Sequence, residues 1–215
     1  MGITTQTWLQ LLQQHKAIAV IRRAELDTAY KMARAVAAGG MNLIEITWNS
    51  QHPERLVARL RAELPHCIIG VGTVLNLDDL QQAVSAGAQF AFSPHFNADL
   101  LNAASKIHNV PFVPGVFSPT EMVNAWNSGA KVVKVFPIKS LGGAEYLKCV
   151  KAPLDKIALV PTGGITIDNA KEMINAGAVA VGISSDLFPR QAIALNDWSS
   201  ISDRTKELLA RLQTK

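Results

Sequence analysis

Short apolar stretches rich in β-branched residues alternate with amphipathic segments along the 215 residues of the chain. Eight such stretches occur, and their first residues are 20 to 26 positions apart, which leaves room for one strand, one helix and two short loops. We predict strands over 17–21, 43–47, 67–71, 89–93, 111–114, 131–136, 157–161 and 179–183. Helices are predicted over 27–38, 53–64, 78–85, 98–107, 119–127 and 168–175. This alternation is typical of an α/β protein with a parallel sheet.

Glycine recurs at the junctions between predicted helices and the strands that follow them. Gly39, Gly87, Gly129 and Gly177 are 48, 42 and 48 residues apart, about two strand-helix units each, which indicates a quasi-regular array. Glycine at such a place is the expected left-handed helix C-cap. Eight parallel strands with right-handed crossovers close most naturally into a (β/α)8 TIM barrel, here a single domain over 1–215.

An open doubly wound sheet is the alternative architecture, and it commonly binds a dinucleotide. It is disfavoured because the GxGxxG fingerprint is absent: Gly70 and Gly72 are not followed by the third glycine. We therefore predict the TIM barrel, with an additional N-terminal helix at about residues 5–14 that covers its bottom.

The charged residues, 21 basic and 17 acidic, are spread along the chain without a cluster. Because nucleic-acid binding needs clustered Lys and Arg, we expect no nucleic-acid partner. No apolar stretch reaches the roughly 18 residues of a membrane helix, and the first residues show no signal-peptide pattern, so we expect no membrane contact and a cytoplasmic location. Cys67 and Cys149 lie outside any CxxC and the five histidines form no HExxH, so we expect neither a metal nor another cofactor.

Two charged residues interrupt predicted strands that are otherwise mostly apolar. Burial of Lys134 would lower its pKa, and a neutral amine can attack a carbonyl. Glu45 shares one face of its strand with Thr47, and its carboxylate could move protons to and from an adduct on Lys134. The other interpretation is that Lys134 and Glu45 form only a buried ion pair. In a TIM barrel, both would lie where the catalytic residues of the fold are found.

Two loops near the end of the chain predict a phosphate site. Gly163 and Gly164 follow the seventh predicted strand, and Ser184 follows the eighth. Bare backbone amides and a hydroxyl at these two loops correspond to the usual phosphate site of the barrel. Together they favour a phosphorylated substrate.

The sequence resembles the family of 2-keto-3-deoxy-6-phosphogluconate (KDPG) and 4-hydroxy-2-oxoglutarate (KHG) aldolases over roughly residues 8–190. The motifs that carry the resemblance are AVIR at 19–22, IEIT at 44–47, GVGTVL at 70–75, FSP at 92–94, PG at 114–115, VKVFP at 133–137, PTGGI at 161–165 and the glycine-to-serine run at 182–184. The resemblance implies a homotrimeric class I aldolase that needs no metal. Its substrate would be cleaved to pyruvate and an aldehyde, glyceraldehyde 3-phosphate from KDPG and glyoxylate from KHG.

The resemblance also implies a role for each residue of the site. Lys134 would form the Schiff base and Glu45 would act as the general acid and base. The residues implied or selected for substrate binding are Arg22, Thr47, Asn49, Thr73, Pro94, Phe136, Thr162, Gly163, Gly164 and Ser184. Within that set, Thr73 would hold the pyruvate carboxylate, and the two glycines with Ser184 would receive the phosphate.

One position departs from the gluconate-type pattern. Those enzymes carry an arginine four residues after the catalytic glutamate, whereas this chain has Asn49, which cannot make the arginine-carboxylate fork. The Asn49-Ser50 pair and the run from Ser184 to Leu187 are similar to 2-keto-3-deoxy-6-phosphogalactonate (KDPGal) aldolase. The alternative substrate is therefore KDPGal. Without the arginine fork at position 49, we expect backbone amides and the Thr73 hydroxyl to hold the carboxylate, unless a different cation such as Arg22 neutralises it.

Two further functions are compatible with the residues alone. A barrel isomerase or synthase of a phosphorylated metabolite would use Glu45 as a base without a covalent step on Lys134. A non-catalytic barrel could bind a sugar phosphate as a sensor. Reaction of Lys134 with pyruvate and borohydride separates the aldolase from both.

Overall fold

The computed structural model describes residues 3–214, in which strands and helices alternate as the sequence predicts. The strands are β1 (Ala17–Ile21), β2 (Leu43–Thr47), β3 (Ile68–Gly72), β4 (Ala91–Phe92), β5 (Phe112–Val113), β6 (Gly115–Val116), β7 (Val132–Val135), β8 (Ala158–Pro161) and β9 (Val181–Ile183). The helices are α1 (Thr5–His15), α2 (Leu26–Ala38), α3 (Pro53–Glu63), α4 (Leu77–Ser85), α5 (Ala98–Asn102), α6 (Pro119–Asn127), α7 (Ala144–Lys151), α8 (Ala170–Asn175), α9 (Arg190–Ala194) and α10 (Trp198–Gln213).

The strands form a curled parallel sheet that closes on itself. One part has the order β5-β4-β3-β2-β1-β9 and the other the order β6-β7-β8. β5 lies within the fifth predicted strand, 111–114, and β6 continues the same stretch beyond the predicted end. Pro114 separates the two, because proline has no N–H to donate to a ladder. Single bridges from Leu159 to Ala178 and from Thr162 to Gly182 join the β8 side to the β9 side. The predicted TIM barrel is confirmed.

Alternation along the strands divides the side chains between the barrel interior and the helix layer. On β2, Leu43 packs in the interior with Phe90, while Ile44 and Ile46 face the surrounding helices. Glu45 lies between these two isoleucines and is therefore directed into the barrel. The same period places Lys134 on the interior face of β7.

Helix α1 closes the bottom of the barrel, as the sequence predicts. Trp8 is 1% exposed and packs with Leu12 against the interior residues of the strands. Its ring is stacked on Phe90 at 4.6 Å between centroids and meets Phe92 edge-on at 6.4 Å. Aromatic rings therefore fill this end of the barrel, and the cavity for a ligand lies at the other end.

The structure corrects several details of the sequence prediction. The helix predicted over 98–107 is α5 continued by a π-helical segment, Ala103–His108. Helix α7 occupies the interval between the sixth and seventh predicted strands, where the alternation implies a helix, and α9 and α10 follow the last predicted strand. The left-handed glycine at the end of α2 is Gly40, with φ 94°, and not Gly39. The other three predicted glycines have the left-handed conformation.

No helix between residues 3 and 214 is both long enough and apolar enough to cross a bilayer.

Candidate active site

A cavity of about 230 Å³ lies at the carboxyl ends of the strands, opposite α1. Its lining consists of Val20, Arg22, Lys134, Phe136, Thr162, Gly163, Gly164, Ile165, Gly182, Ser184 and Ser185. Seven of the predicted site residues are in this set. Larger grooves of about 480 and 490 Å³ lie on the outer helices, and neither contains the buried lysine. The predicted catalytic residue Glu45 is not among the residues that line the 230 Å³ cavity.

Lys134 lies on the interior face of β7 and is only 4% exposed. Its ammonium group is 4.9 Å from the centroid of the Phe136 ring and 6.0 Å from that of Phe92. Burial lowers the pKa of Lys134, the Glu45 carboxylate raises it, and the Arg22 guanidinium lowers it. The lysine is thus more readily deprotonated than an exposed one, which is what a nucleophilic amine requires.

Glu45 is 2% exposed, and its Oε1 atom is buried without a hydrogen-bond partner. Burial raises the pKa of its carboxyl, while the charges of Lys134 and Arg22 act in the opposite direction. No direct ion pair joins Glu45 to Lys134 among residues 3–214. A carboxyl with a raised pKa and a free oxygen can exchange a proton with a ligand.

The space for Glu45 is provided by the neighbouring strand. Thr47 pairs in register with Gly72 of β3, and a Cβ atom at position 72 would lie 1.7 Å from Glu45 Oε1. Gly182 makes room for a polar side chain in the same way, because a Cβ there would lie 2.5 Å from Thr162 Oγ1. Glycine on the adjacent strand therefore lets each polar side chain bend over its backbone.

The residue after Gly72 has an unusual backbone conformation. Thr73 has φ 61°, in the left-handed region, which is strained for a β-branched residue. Strain of this kind is found where surrounding structure holds a residue for function. Thr73 follows β3 at the same end of the barrel as the cavity, although it is not among the residues that line it.

The two loops with the predicted phosphate site form one side of the cavity. Gly163 and Gly164 have φ 87° and 88°, which favour glycine. A Cβ on Gly163 would come within 3.0 Å of Pro137, and one on Gly164 within 2.4 Å of Lys139 Cβ. Ser184 faces these glycines from the loop after β9. The loops thus bring two glycines and a serine to the cavity.

Three other predicted residues lie at this end of the barrel but outside the cavity lining. Thr47 is fully buried, and its hydroxyl is 3.3 Å from the Ser50 hydroxyl. Pro94 approaches Gly115 so closely that a Cβ at position 115 would lie 2.2 Å from its carbonyl carbon. Asn49 is exposed on the turn after β2. The structure therefore brings Arg22, and not Asn49, into the cavity.

Four residues of the lining, Val20, Ile165, Gly182 and Ser185, are not among the predicted site residues. Alternation places Val20 on the same face of β1 as Arg22. Val20, Ile165 and Gly182 lie in the motifs that carry the family resemblance, and Ser185 follows Ser184 in the second loop of the predicted phosphate site. Within the described residues, no group of three His, Cys, Asp or Glu side chains could hold a metal ion.

Comparisons with known proteins agree with this geometry. The chain is 34% identical over 203 residues to a 2-dehydro-3-deoxy-phosphogluconate aldolase of Treponema pallidum, covering 94% of this chain and 96% of the relative. A solved KDPG aldolase of Legionella pneumophila, with pyruvate captured at low pH as a covalent carbinolamine intermediate, superposes with a TM-score of 0.86 at 31% identity, covering 93% and 97% of the two chains. A native KDPGal structure gives a TM-score of 0.80 at 27% identity, with 91% and 93% covered.

The model of the KDPG and KHG aldolase family matches residues 9–204, which include every residue of the cavity. The chain belongs to the KDPG and KHG aldolase family and is therefore a lyase.

Proposed function

We propose that this chain is a class I aldolase that cleaves KDPG to pyruvate and glyceraldehyde 3-phosphate, and KHG to pyruvate and glyoxylate. The observation that carries the proposal is the buried Lys134, which opens into the cavity with its pKa lowered by burial. A lysine of this kind can form a Schiff base with a 2-keto acid. The covalent intermediate in the Legionella relative supports the same chemistry.

Lys134 is the nucleophile of the proposed reaction. Its neutral amine attacks the C2 carbonyl, and the carbinolamine loses water to give an iminium ion. When the bond between C3 and C4 breaks, its electron pair moves to the iminium nitrogen, which leaves an enamine and releases the aldehyde. The positive iminium is the electron sink for this cleavage.

Glu45 is the proton carrier. It takes the proton of the C4 hydroxyl as the aldehyde forms and returns a proton to C3 of the enamine. Hydrolysis of the resulting iminium then releases pyruvate and regenerates the free amine. The raised pKa of Glu45 and its unpartnered Oε1 support this role, because the group must both accept and donate a proton.

The substrate lies along the cavity, with its carboxylate at one end and its phosphate at the other. Arg22 and Thr73 hold the pyruvate carboxylate. Phe136 in the cavity contacts the methylene carbon, together with Pro94 at the same end of the barrel. Thr162 faces the hydroxyl groups, and the amides of Gly163 and Gly164 bind the phosphate together with Ser184. Thr47 lies on the same face of β2 as Glu45 and supports it, and Asn49 contacts the substrate at the rim of the cavity.

KDPGal is the second candidate substrate. Asn49 replaces the arginine of the gluconate-type enzymes, and the structural similarity to KDPGal supports this alternative. Initial rates of pyruvate release from KDPG, KDPGal and KHG, measured side by side, rank the three. A higher kcat/KM for KDPGal than for KDPG would replace our first choice.

A homotrimer in the cytoplasm is also part of the proposal. Leu75, Leu77 and Phe117 are 46 to 50% exposed and follow β3 and β6 at the active-site end, which supports a contact with another copy there. Both cysteines are free, as expected in a reducing compartment. Light scattering after gel filtration tests the trimer.

The Schiff base is tested by incubation with pyruvate and borohydride, followed by mass spectrometry of the tryptic peptides. We expect one adduct, on Lys134, and none in Lys134→Met, which keeps the fold because an apolar side chain of similar length replaces the buried lysine. Lys131→Met is the matched control. Lys131 directly precedes the buried strand β7, and its ammonium lies over the Trp126 ring. An adduct that persists in Lys134→Met would refute the assignment.

A further inference from the structure

A single carboxylate links the two loops of the predicted phosphate site. Asp186 Oδ2 accepts the backbone N–H of Ile167 at 2.9 Å. Ile167 follows Gly163 and Gly164 in the loop after β8, whereas Asp186 is two residues after Ser184 in the loop after β9. The hydrogen bond therefore fixes one loop against the other.

Arg204 of α10 holds this carboxylate in place. Its Nε donates to the carbonyl oxygen of Asp186 at 2.8 Å, and its Nη2 donates to Asp186 Oδ2 at 3.1 Å. The two side chains are 30% and 32% exposed, so the pair is partly shielded from solvent. Two hydrogen bonds from one guanidinium give the loop after β9 a defined orientation on the helix.

The link lies at a sparsely paired seam of the barrel. β8 and β9 are joined among the described residues only by single bridges, whereas β2 and β3 pair through five residues in register. The backbone ladder alone thus constrains the β8 and β9 loops less than it constrains the strands around Glu45. A side-chain link between the loops compensates for this difference.

The charge of Asp186 also needs a partner here. A carboxylate near a site for an anionic group repels that group, and the cost is reduced when a cation is held against the carboxylate. Arg204 supplies that cation. The pair can therefore fix the loops without leaving an unpaired negative charge beside the bound phosphate.

We propose that Asp186 and Arg204 are positioning residues, which hold the Gly163–Gly164 loop and the Ser184 loop at the spacing that the terminal phosphate of the substrate requires. This rests on the proposed function in one respect, namely that the anion is the phosphate of the cleaved sugar acid. Neither residue lines the cavity, so the pair acts through the two loops that it joins.

The first test compares a phosphorylated and an unphosphorylated substrate. In Asp186→Ala we expect the KM for KDPG to rise about tenfold, the effect of losing a hydrogen bond to a charged group, with kcat within about twofold. The KM for KHG, which has no phosphate, should stay within about twofold of wild type. Asp203→Asn, which removes an exposed carboxylate paired with Lys206 on the same helix, should change neither KM. Equal changes in both substrates, or none, would overturn the proposal.

The second test uses the charge. Arg204→Ala leaves the Asp186 carboxylate unpaired, so the KM of this variant for KDPG should exceed that of Asp186→Ala. The KM of the double variant should be lower than that of Arg204→Ala, because the unpaired carboxylate is gone. A double variant that is weaker than either single variant would contradict the role of Arg204.

The third test does not depend on turnover. Saturating inorganic phosphate should raise the melting temperature of wild type and raise that of Asp186→Ala by clearly less. Equal stabilisation of the two proteins, or none of wild type, would overturn the positioning role. Failure of the proposed function is read separately, from the absence of a pyruvate adduct on Lys134.

Discussion

A Cβ atom on Gly72 would lie 1.7 Å from Oε1 of Glu45, so the bare backbone of β3 is what gives this carboxylate its place. The same Cβ would lie 2.4 Å from Cδ and 3.0 Å from Cγ of Glu45. The buried position of the proposed general acid and base therefore depends on a glycine of another strand.

The first prediction is that Gly72→Ala displaces Glu45. The added methyl group forces the carboxylate aside, and kcat should fall by about 100-fold or more, the usual loss for a general acid and base. Because the carboxylate is the end of a flexible side chain, the protein should still fold, which thermal unfolding would show. Gly129→Ala is the control: its Cβ meets nothing within 4 Å, but its φ of 106° is strained, so it should lower stability and leave kcat unchanged. A normal kcat in Gly72→Ala would contradict the proposed role of this position.

The second prediction concerns the pH at which Lys134 becomes reactive. Burial lowers the pKa of Lys134 below the ordinary 10.5. The rate of pyruvate trapping should therefore rise with pH around a midpoint below 10.5 and reach a plateau above it. The Glu45 carboxylate raises this pKa and Arg22 lowers it. The midpoint should therefore move to lower pH in Glu45→Gln and to higher pH in Arg22→Ala.

Trapping rates are measured at saturating pyruvate, so that weaker binding does not displace the midpoint. Shifts in the same direction for both variants would contradict the electrostatic argument. The free energy of unfolding also depends on pH through Lys134 and Glu45, with opposite signs for the two groups. The contribution of neutral Lys134 is lost as the pH falls through its folded pKa, and that of protonated Glu45 is lost as the pH rises through its own.

The sequence predicts the barrel and its two buried charges because both depend on local periodicity. Alternation along residues 43–47 and 131–136 places Glu45 and Lys134 inside, and the repeated spacing of the strands defines the closed sheet. It does not predict how a carboxylate fits there. That depends on Gly72, which is 27 positions away in the chain and becomes a neighbour only through the register of β2 and β3.

Other features are absent from the pattern for the same reason. Asp186 and Arg204 are 18 residues apart, and only the packing of α10 brings them together. Proline at position 114 splits the fifth strand, but the sequence does not indicate that its two halves pair with different neighbours. The left-handed conformation of Thr73 opposes the intrinsic preference of threonine, so no propensity argument would assign it.

The third prediction uses that strained residue. Thr73→Gly removes the hydroxyl proposed to hold the pyruvate carboxylate, and the inhibition constant of pyruvate should rise about tenfold. Because glycine adopts a φ of 61° without steric cost, the melting temperature should not fall. Thr73→Ser retains the hydroxyl and should keep the affinity of wild type. An unchanged inhibition constant in Thr73→Gly would remove Thr73 from the site.

The last prediction decides which residue neutralises the carboxylate of pyruvate. Arg22 lines the cavity with Lys134, whereas Asn49 is exposed on the turn after β2. Loss of a charge-assisted hydrogen bond costs about 1.5 to 3 kcal/mol, so Arg22→Ala should raise the inhibition constant of pyruvate by about 10-fold to 150-fold. Asn49→Ala should change that constant by less than about twofold from its wild-type value, because the Asn49 side chain is exposed to solvent.

Asn49 should instead act on the choice of substrate. Asn49→Arg places a long cation at the rim, where it can reach the sugar-acid portion, and we expect it to change the ratio of kcat/KM for KDPG to that for KDPGal. Rates with both substrates and the pyruvate inhibition constant are measured on the same preparations of wild type, Asn49→Ala, Asn49→Arg and Arg22→Ala. If Arg22→Ala binds pyruvate as wild type does and Asn49→Ala binds it weakly, the carboxylate lies near Asn49, and the assignment to Arg22 is wrong.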